Sequence, residues 1–137
     1  MKKTTTIIYA FLIFSICVTG QTLQDKKIII QKSIDFKELQ AYYSDIEFEG
    51  KKQLFIVNNG IIPSNLELVK YDNKVNFMLK ENMFHKNIKN HIEFMSFSID
   101  SIRADVKFYY GLSGPDVDLI FQKMGDSWFI VRSGIGK

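Results

Sequence analysis

Apolar and polar residues alternate most strictly between residues 102 and 110 of the chain. The apolar positions are Ile102, Ala104, Val106, Phe108 and Tyr110. Charged residues and one further tyrosine occupy the positions between them. Successive side chains of a β-strand point to opposite faces of its sheet, so this segment predicts an antiparallel strand with one face in the core and one face in solvent.

The stretch HIEFMSFSI, residues 91–99, predicts the partner of that strand, but its pattern changes phase. Ile92 and Phe94 fall on one face, whereas Met95, Phe97 and Ile99 fall on the opposite face. One extra residue in a strand shifts the alternation by one position. We therefore expect a bulge or a strong bend near Phe94.

The stretch VDLIFQKMGDSWFIV, residues 117–131, predicts a closing hairpin. Gly125 and Asp126 supply the positive φ angles of its tight turn. The apolar residues expected to meet across the two arms are Val117, Leu119, Phe121, Trp128 and Ile130.

Two shorter segments before residue 80 also predict strands. LFIVNNG reads as a strand that ends in a turn at Asn58, Asn59 and Gly60, and Pro63 keeps the following residues out of a central strand. LELVKYDNKVNFML reads as a hairpin with its turn near Asp72 and Asn73. Its expected inner face consists of Leu66, Leu68, Val75, Phe77 and Leu79. The polar stretch KENMFHKNIKN that follows predicts a helical turn.

The segment before residue 46 predicts a strand and then a short helix. Three consecutive isoleucines in DKKIII, residues 25–30, favour a strand or an extended lead-in. Asp35 and Glu38 have the spacing of a capping box, which would start a helix ending near residues 44 and 45. The helix would bury Phe36, Leu39 and Tyr43. Together these elements predict an α+β domain, with a strongly bent antiparallel sheet of about six strands and one short N-terminal helix packed on it.

The first twenty residues predict a secretory signal peptide. Lys2 and Lys3 precede an apolar run of twelve residues, Ile7 to Val18, which is shorter than the roughly 20 residues of a membrane span. Cys17 is the only cysteine, and Ile16 before it does not fit a lipoprotein signal. We expect cleavage after Gly20, so that residues 1–20 are removed and residues 21–137 form a single α+β domain. The alternatives are a cut after Cys17, which also removes the cysteine, and an uncleaved membrane anchor.

Charge and location narrow the classes of partner. Without Lys2 and Lys3 the chain has 16 basic and 15 acidic residues, and lysines alternate with acids along it. Nucleic-acid-binding proteins usually have a strongly basic face, so we predict no nucleic-acid partner. The expected location is the periplasm or the extracellular space, with membrane contact only through the transient signal peptide.

Candidate catalytic and metal-binding residues are few. Glu81, His85, His91 and Glu93 could approach one another, but their spacing matches no compact ligand motif, so we predict neither a metal site nor a cofactor. Asp105 and His91 could meet across neighbouring strands as an acid–base pair, although no pattern in the sequence brings them together. No nucleophile elbow or phosphate-binding glycine loop is present in the sequence.

Aromatic residues offer a second kind of binding site. Tyr109 lies on the opposite face from Tyr110 and Trp128, between Lys107 and a glycine-containing loop. An exposed tyrosine on a sheet is a common anchor at protein interfaces. The candidate binding residues are therefore Tyr109, Tyr110, Trp128, His91 and Asp105.

The closing strands resemble the cystatin-like and nuclear transport factor 2-like cone folds. Residues 104–110 and 117–131 alternate as the final strands of that family do, and the shared features are Lys123, Gly125, Asp126, Trp128 and Ile130. The resemblance implies a small-molecule carrier or an enzyme with an enclosed pocket. The chain from Gln21 onward is also similar to small secreted bacterial proteins, which implies no activity.

Two classes of function follow from these patterns. The first is a non-catalytic exported binding protein that holds a protein, a glycan or a small apolar ligand on its sheet face or loops. The second is a cone-fold carrier or enzyme with an enclosed pocket. We predict the first class, because no catalytic constellation stands out in the sequence.

Overall fold

The computed structural model describes residues 23–45 and 47–136 of the chain. Two α-helices, one 3-10 helix and ten strands are described there. The helices are α1 (residues 23–34), the 3-10 helix Lys37–Asp45 and α2 (Lys80–His85). The strands are β1 (Glu47–Phe48), β2 (Lys51–Lys52), β3 (Phe55–Val57), β4 (Val69–Lys70), β5 (Asn73–Lys74), β6 (Asn76–Met78), β7 (Ile92–Ile99), β8 (Arg103–Tyr110), β9 (Asp116–Met124) and β10 (Ser127–Gly136).

Six strands form the main sheet in the order β10-β9-β8-β7-β3-β6. The last four strands of the chain make an antiparallel meander, whereas β3 runs parallel to both of its neighbours, β6 and β7. The α+β class and the number of strands agree with the sequence prediction. The predicted antiparallel pairing is confirmed for β7 to β10, whereas the two parallel pairs of β3 make the whole sheet mixed. The predicted strong bend was wrong, since the sheet is not strongly curled.

The meander follows the alternation read from the sequence. Ala104, Val106, Phe108 and Tyr110 are buried along β8, while the residues between them face outward. In β7 the register shifts between Phe94 and Ser96, so Met95 is the bulge residue that the phase change predicted. The side-chain amide of Asn59 donates a 2.9 Å hydrogen bond to the Phe94 carbonyl beside this bulge.

The turns of both hairpins differ in detail from the sequence prediction. In the β9–β10 hairpin, Met124 pairs with Ser127, and of the two loop residues only Gly125 has a positive φ, of 63°. This fits a type II′ turn, in which the first central residue alone must be glycine-like. The second hairpin is short and joins β4 to β5.

Tyr71 and Asp72 form the β4–β5 turn, with φ of 51° and 60°, one residue earlier than predicted. Leu68 and Val75 are buried as expected, but Leu79 is exposed. The reason is that the second arm leaves the hairpin after Val75 and enters the main sheet as β6.

The isoleucine triplet does not form a strand. Residues 23–34 are helical, and Ile29, Ile30, Ser33 and Ile34 are buried. These positions share one face of a helix, so packing against the sheet outweighs the strand preference of isoleucine. The single predicted helix is therefore preceded by α1.

The predicted helix after residue 36 is present as the 3-10 helix, and Phe36, Leu39 and Tyr43 are buried. The Asp35 carboxylate accepts hydrogen bonds from Gln31 and Lys70, at 2.8 and 3.0 Å. Asp35 therefore links α1 to β4, whereas the capping box predicted a bond to the helix start.

The main core lies between the sheet and the two helical segments before residue 46. Trp128, Tyr43, Phe94, Phe108 and Phe121 are its largest fully buried side chains. A smaller cluster covers the opposite face of the sheet at its β3–β6 end. It consists of Phe55, Val57, Met83 and Ile88, with Phe48 and Met78 packed against it. Beyond this cluster, the outer face of β8 carries the charged side chains Arg103, Asp105 and Lys107.

The proposed signal peptide, residues 1–20 with Cys17, lies outside the described residues. Among the helices that are described, none combines the length and the apolar character needed to cross a membrane.

Candidate functional site

Trp128 is a core residue that fastens the start of β10 to α1. Its side chain is fully buried, and its indole Nε1–H donates a 3.1 Å hydrogen bond to Asp25. The ammonium of Lys32, also on α1, donates a 2.9 Å hydrogen bond to the Trp128 carbonyl. Trp128 is therefore a structural anchor between β10 and α1 and not an exposed binding residue.

β10 is an edge strand of the main sheet: it pairs with β9 on one side and with no strand on the other. Its ten residues include no proline, and its one charged side chain is Arg132. Four of its large apolar side chains are exposed: Phe129, Ile130, Val131 and Ile135. A long apolar edge strand is a template for pairing with another strand.

A groove runs between β10 and the helical segments before residue 46. We call it the β10 groove; its volume is about 420 Å³. Its apolar walls are Phe36, Trp128, Phe129 and Ile130, and its rim holds Lys32, Asp35, Lys37 and Glu38. The β10 groove, with apolar walls and a charged rim, thus lies directly beside the free edge of the sheet.

Tyr109 lies on the outer face of the sheet, as the alternation predicted, but it is not free there. Its hydroxyl donates a hydrogen bond to Glu93, its register partner on β7. Lys80 at the start of α2 is 3.0 Å from the same carboxylate and 3.5 Å from the Tyr109 hydroxyl. The three side chains form a polar cluster that ties α2 to the sheet.

The structure separates the other candidate residues. Tyr110 is buried and stands edge-on to Tyr43, with ring centres 5.2 Å apart. Asp105 lies on the outer face in a bidentate pair with Arg103, at 3.0 Å, which lowers the pKa of its carboxyl. Asp105 pairs with Ser98, whereas His91 precedes β7, so the two lie at opposite ends of the β7–β8 ladder. At about 3.3 Å per residue they are roughly 20 Å apart, too far to act as an acid–base pair.

His91 is the candidate residue with the most unusual surroundings. Its side chain is only 4% exposed. Within the described chain, no group meets strict hydrogen-bond geometry with either ring nitrogen, although the backbone carbonyls of Ile88 and Lys89 lie close enough to raise the pKa of the imidazole. Buried polar groups in proteins are nearly always hydrogen-bonded, so an unpartnered imidazole needs an explanation.

His91 lines a second surface cleft, beside α2, of about 240 Å³. We call it the α2 cleft. Its apolar lining is Met83, Phe84, Ile88 and Leu112, and its polar lining is Lys80, Asn87, Lys89 and His91. Phe84 and Leu112 are 84% and 78% exposed. Two large apolar side chains thus stand in solvent at the opening of a cleft with a buried histidine.

Burial sets the protonation of His91. Removal from water lowers the pKa of its imidazole, and the nearby Lys80 ammonium lowers it further. Glu93 and the backbone carbonyls of Ile88 and Lys89 partly offset this effect. The neutral imidazole, with one N–H donor and one acceptor nitrogen, is therefore favoured.

The four residues considered as a metal site do not assemble into one. In residues 23–45 and 47–136, no group of three or more histidine or carboxylate side chains is placed to hold a metal ion. Glu93 contacts Lys80 and Tyr109 instead.

Sequence reasoning missed Phe84, Lys89 and Leu112. They lie in polar or glycine-containing connections, and no periodicity marks them. The sequence signal for these residues is the presence of isolated large apolar side chains in such connections, namely Phe84 in KENMFHKN and Leu112 in YYGLSG.

Comparisons of this chain with models of known families, with curated proteins and with solved structures gave no match.

Proposed function

We propose that this chain is an exported, non-catalytic interaction protein that binds an extended segment of a partner protein along β10. One observation supports the proposal above the others: a ten-residue edge strand with four exposed large apolar side chains lies beside a groove of about 420 Å³. Addition of a strand to a free sheet edge is a recurrent mode of peptide recognition, in which backbone hydrogen bonds supply affinity and flanking pockets supply specificity.

The backbone of β10 offers several outward-facing groups at this edge, interrupted by a bulge between Ile130 and Arg132. The Lys32 ammonium donates a hydrogen bond to the carbonyl of Trp128, and this carbonyl therefore points away from β9. Residues two apart along a strand have the same backbone orientation, so the N–H and C=O of Ile130 also point outward. Ser133 shares this orientation despite the bulge, because its partner Leu119 is two residues from Phe121, the partner of Ile130.

The opposite edge of the sheet is less suited to strand addition. β6 has three residues, Asn76–Met78, and all of them are partly buried. An incoming strand would find few free backbone groups there. β10 is therefore the edge on which a partner segment has room for several hydrogen bonds and for a side chain in the β10 groove.

A pair of substitutions at Ser133 tests this mode of binding. Ser133→Pro removes the outward N–H without removing a bond to β9, and prolines are tolerated at such edge positions. Ser133→Ala keeps the N–H and is the matched control. We expect proteins captured from the producing cells by the alanine variant to be lost with the proline variant, while circular dichroism shows both folded.

Two outcomes bear on the alternatives. Equal capture by both variants would contradict binding along β10. If sedimentation shows a dimer that the proline variant abolishes, the bound segment is β10 of a second copy.

Export is tested separately by the intact mass of the secreted protein, which we expect to begin at Gln21. A lipid-modified Cys17 at the N-terminus would contradict this expectation.

A further inference from the structure

Two exposed side chains of opposite charge lie near the free edge of β10 without an ionic partner. Arg132 is the one charged residue of β10, and Asp116 begins β9. Within residues 23–45 and 47–136, neither of them takes part in an ion pair. The neighbouring carboxylate, Asp118, is 3.7 Å from the Lys107 ammonium. The two remaining charges therefore restrict how a partner strand would be oriented.

Arg132 and Asp116 lie on the same face of the sheet but far apart along it. Arg132 pairs in register with Ile120, and Asp116 pairs with Gly136. Both are exposed, on the face opposite the buried Val117 and its core neighbours. Ile120 and Asp116 are four positions apart on β9, which corresponds to about 13 Å. This distance keeps the two charges apart within one copy of the chain.

Gly134 lies midway between these two charges. Arg132 precedes it by two residues, and Gly136, the register partner of Asp116, follows it by two. If two β10 strands pair antiparallel about a two-fold axis at Gly134, Arg132 of each copy lies opposite Gly136 of the other. Each Arg132 then points across a glycine toward Asp116 of the other copy. A two-fold contact is self-complementary, so the same ion pair forms twice.

The glycines leave room for this contact on the outer face of β10. A Cβ atom added at Gly134 or at Gly136 would have no neighbouring atom within 4 Å. In the paired arrangement Arg132 and Asp116 are separated by two strand spacings, or roughly 10 Å between Cα atoms. An extended arginine and an aspartate together span this distance, because no side chain stands between them.

The same register also pairs the backbone at the edge. Ser133 directs its N–H and C=O away from β9, and Ile135, two residues later, has the same orientation. With the axis at Gly134, Ser133 of each copy lies opposite Ile135 of the other, and residues in such a pair exchange both backbone hydrogen bonds. The bulge between Ile130 and Arg132 lies before the paired residues and does not interrupt them.

We propose that the segment added to β10 is β10 of a second copy of this chain, antiparallel about a two-fold axis at Gly134, with Arg132 of each copy paired to Asp116 of the other. This inference rests on strand addition at β10, the proposed function, and names the partner. The paired residues are 132–136, so the contact uses the free edge and leaves the β10 groove open.

Charge reversal tests the contact in both directions. Arg132→Asp places a carboxylate opposite Asp116, and Asp116→Arg places a guanidinium opposite Arg132. Either variant alone should weaken the dimer about five- to thirtyfold, because two exposed ion pairs become two repulsions. An equimolar mixture of the two variants restores both ion pairs in the mixed dimer, so it should associate about as tightly as the parent.

Asp126→Arg is the matched control for Asp116→Arg. It makes the same reversal at an exposed position in the β9–β10 turn, outside the paired residues. We expect it to leave the dimer unchanged. Ser133→Pro should abolish the dimer, because it removes one backbone donor from each Ser133–Ile135 pair.

Sedimentation equilibrium of the protein purified from the producing cells measures these differences. A contact of two short strands is small, so we expect a weak dimer. Concentrations up to about 1 mM make even a millimolar dissociation constant visible. Added salt should weaken the dimer, since both ion pairs are exposed.

Several results would overturn the dimer. These are a parent that stays monomeric over this range, a mixture that associates no more tightly than either single variant, and a dimer that Ser133→Pro leaves intact. If the parent is monomeric but Ser133→Ala captures a different protein that Ser133→Pro loses, strand addition stands and its partner is not a second copy. If the parent is monomeric and both Ser133 variants capture alike, strand addition fails as well.

Discussion

The indole Nε1–H of Trp128 donates a hydrogen bond to the carboxylate of Asp25, 103 positions earlier in the chain. The same carboxylate lies 3.5 Å from the Lys123 ammonium, which is also 5.8 Å from the centre of the Trp128 ring. Asp25 thus connects α1 to both strands of the last hairpin. This contact sets the position of α1 over the sheet at the β10 end.

Replacing Asp25 should show how much this contact stabilises the fold. Asp25→Ala leaves the buried indole N–H without its acceptor, and we expect a loss of about 1–3 kcal/mol in the free energy of unfolding. Asp25→Asn keeps an acceptor oxygen and loses the charge, so its loss should be clearly smaller. Urea unfolding of both variants measures the difference; equal losses would show that the hydrogen bond is not the main contribution.

Tyr43 should make the protein sensitive to alkali. Burial is the main reason that the pKa of its hydroxyl is raised well above the usual 10, and the hydroxyl donates a 2.9 Å hydrogen bond to the Ile34 carbonyl. Above pH 10 the unfolded chain loses this proton while the folded chain keeps it. Stability should therefore fall by up to about 1.4 kcal/mol per pH unit from this group.

Tyr43→Phe tests that assignment, because it removes the titrating group and keeps the ring. We expect the variant to be less stable than the parent at pH 8 but to lose stability less steeply between pH 10 and about 11.5. Parallel stability curves for the two proteins over that range would show that Tyr43 is not responsible.

His91 should act at the acid end. Its folded pKa is lowered, chiefly by burial, so the unfolded chain takes up a proton near the ordinary value of 6.5 while the folded chain does not. The stability is fully present above that value and falls as the pH drops through the folded pKa. We expect the free energy of unfolding to decline as the pH falls below about 6.5, and His91→Gln to reduce this decline. An unchanged decline in His91→Gln would show that another group is responsible.

The bulge at Met95 should tolerate deletion of one residue. Without Met95, Phe94 would still face Phe108 and Phe97 would still face Val106, so regular alternation would be restored. Deleting Ser98 should be far worse, because it turns Ile99 from the core face to the solvent face. Thermal unfolding of the two deletion variants compares them; similar losses would contradict the role assigned to the bulge.

The parts of the fold that can be predicted from the sequence are the strands with one buried face and one solvent-exposed face. β8 and the β9–β10 hairpin show this alternation directly, and the phase change in β7 identified the bulge. β3 is buried on both faces, so its short run Phe55–Val57 gives no direction of pairing. Its parallel neighbours depend on contacts between distant segments. In α1, three consecutive isoleucines favour a strand locally, although the buried residues Ile29, Ile30 and Ile34 also have the spacing of one helix face. The helix is favoured only once the sheet is present to cover that face.

The candidate sites were harder to predict for a related reason. The chemistry of the imidazole makes His91 a candidate in the sequence, but its position beside α2 and the loop with Leu112 depends on the folded chain. The alternation predicts Tyr109 as an exposed anchor, but the β7–β8 register places Glu93 beside it, and the start of α2 places Lys80 beside both. The edge position of β10 depends on the strand order, which the local pattern of residues 127–136 does not encode.

The parallel pairing of β3 has a consequence for the order of folding. β7 to β10 are adjacent in the chain and joined by short turns, so their pairing requires only small loops to close. β3 must instead be placed beside β7 across a long intervening segment, with β6 added on its other side. We expect the C-terminal meander to form in the transition state and β3 with β6 to dock late. Substitutions at Ile56 should then speed unfolding, whereas those at Val106 should slow folding.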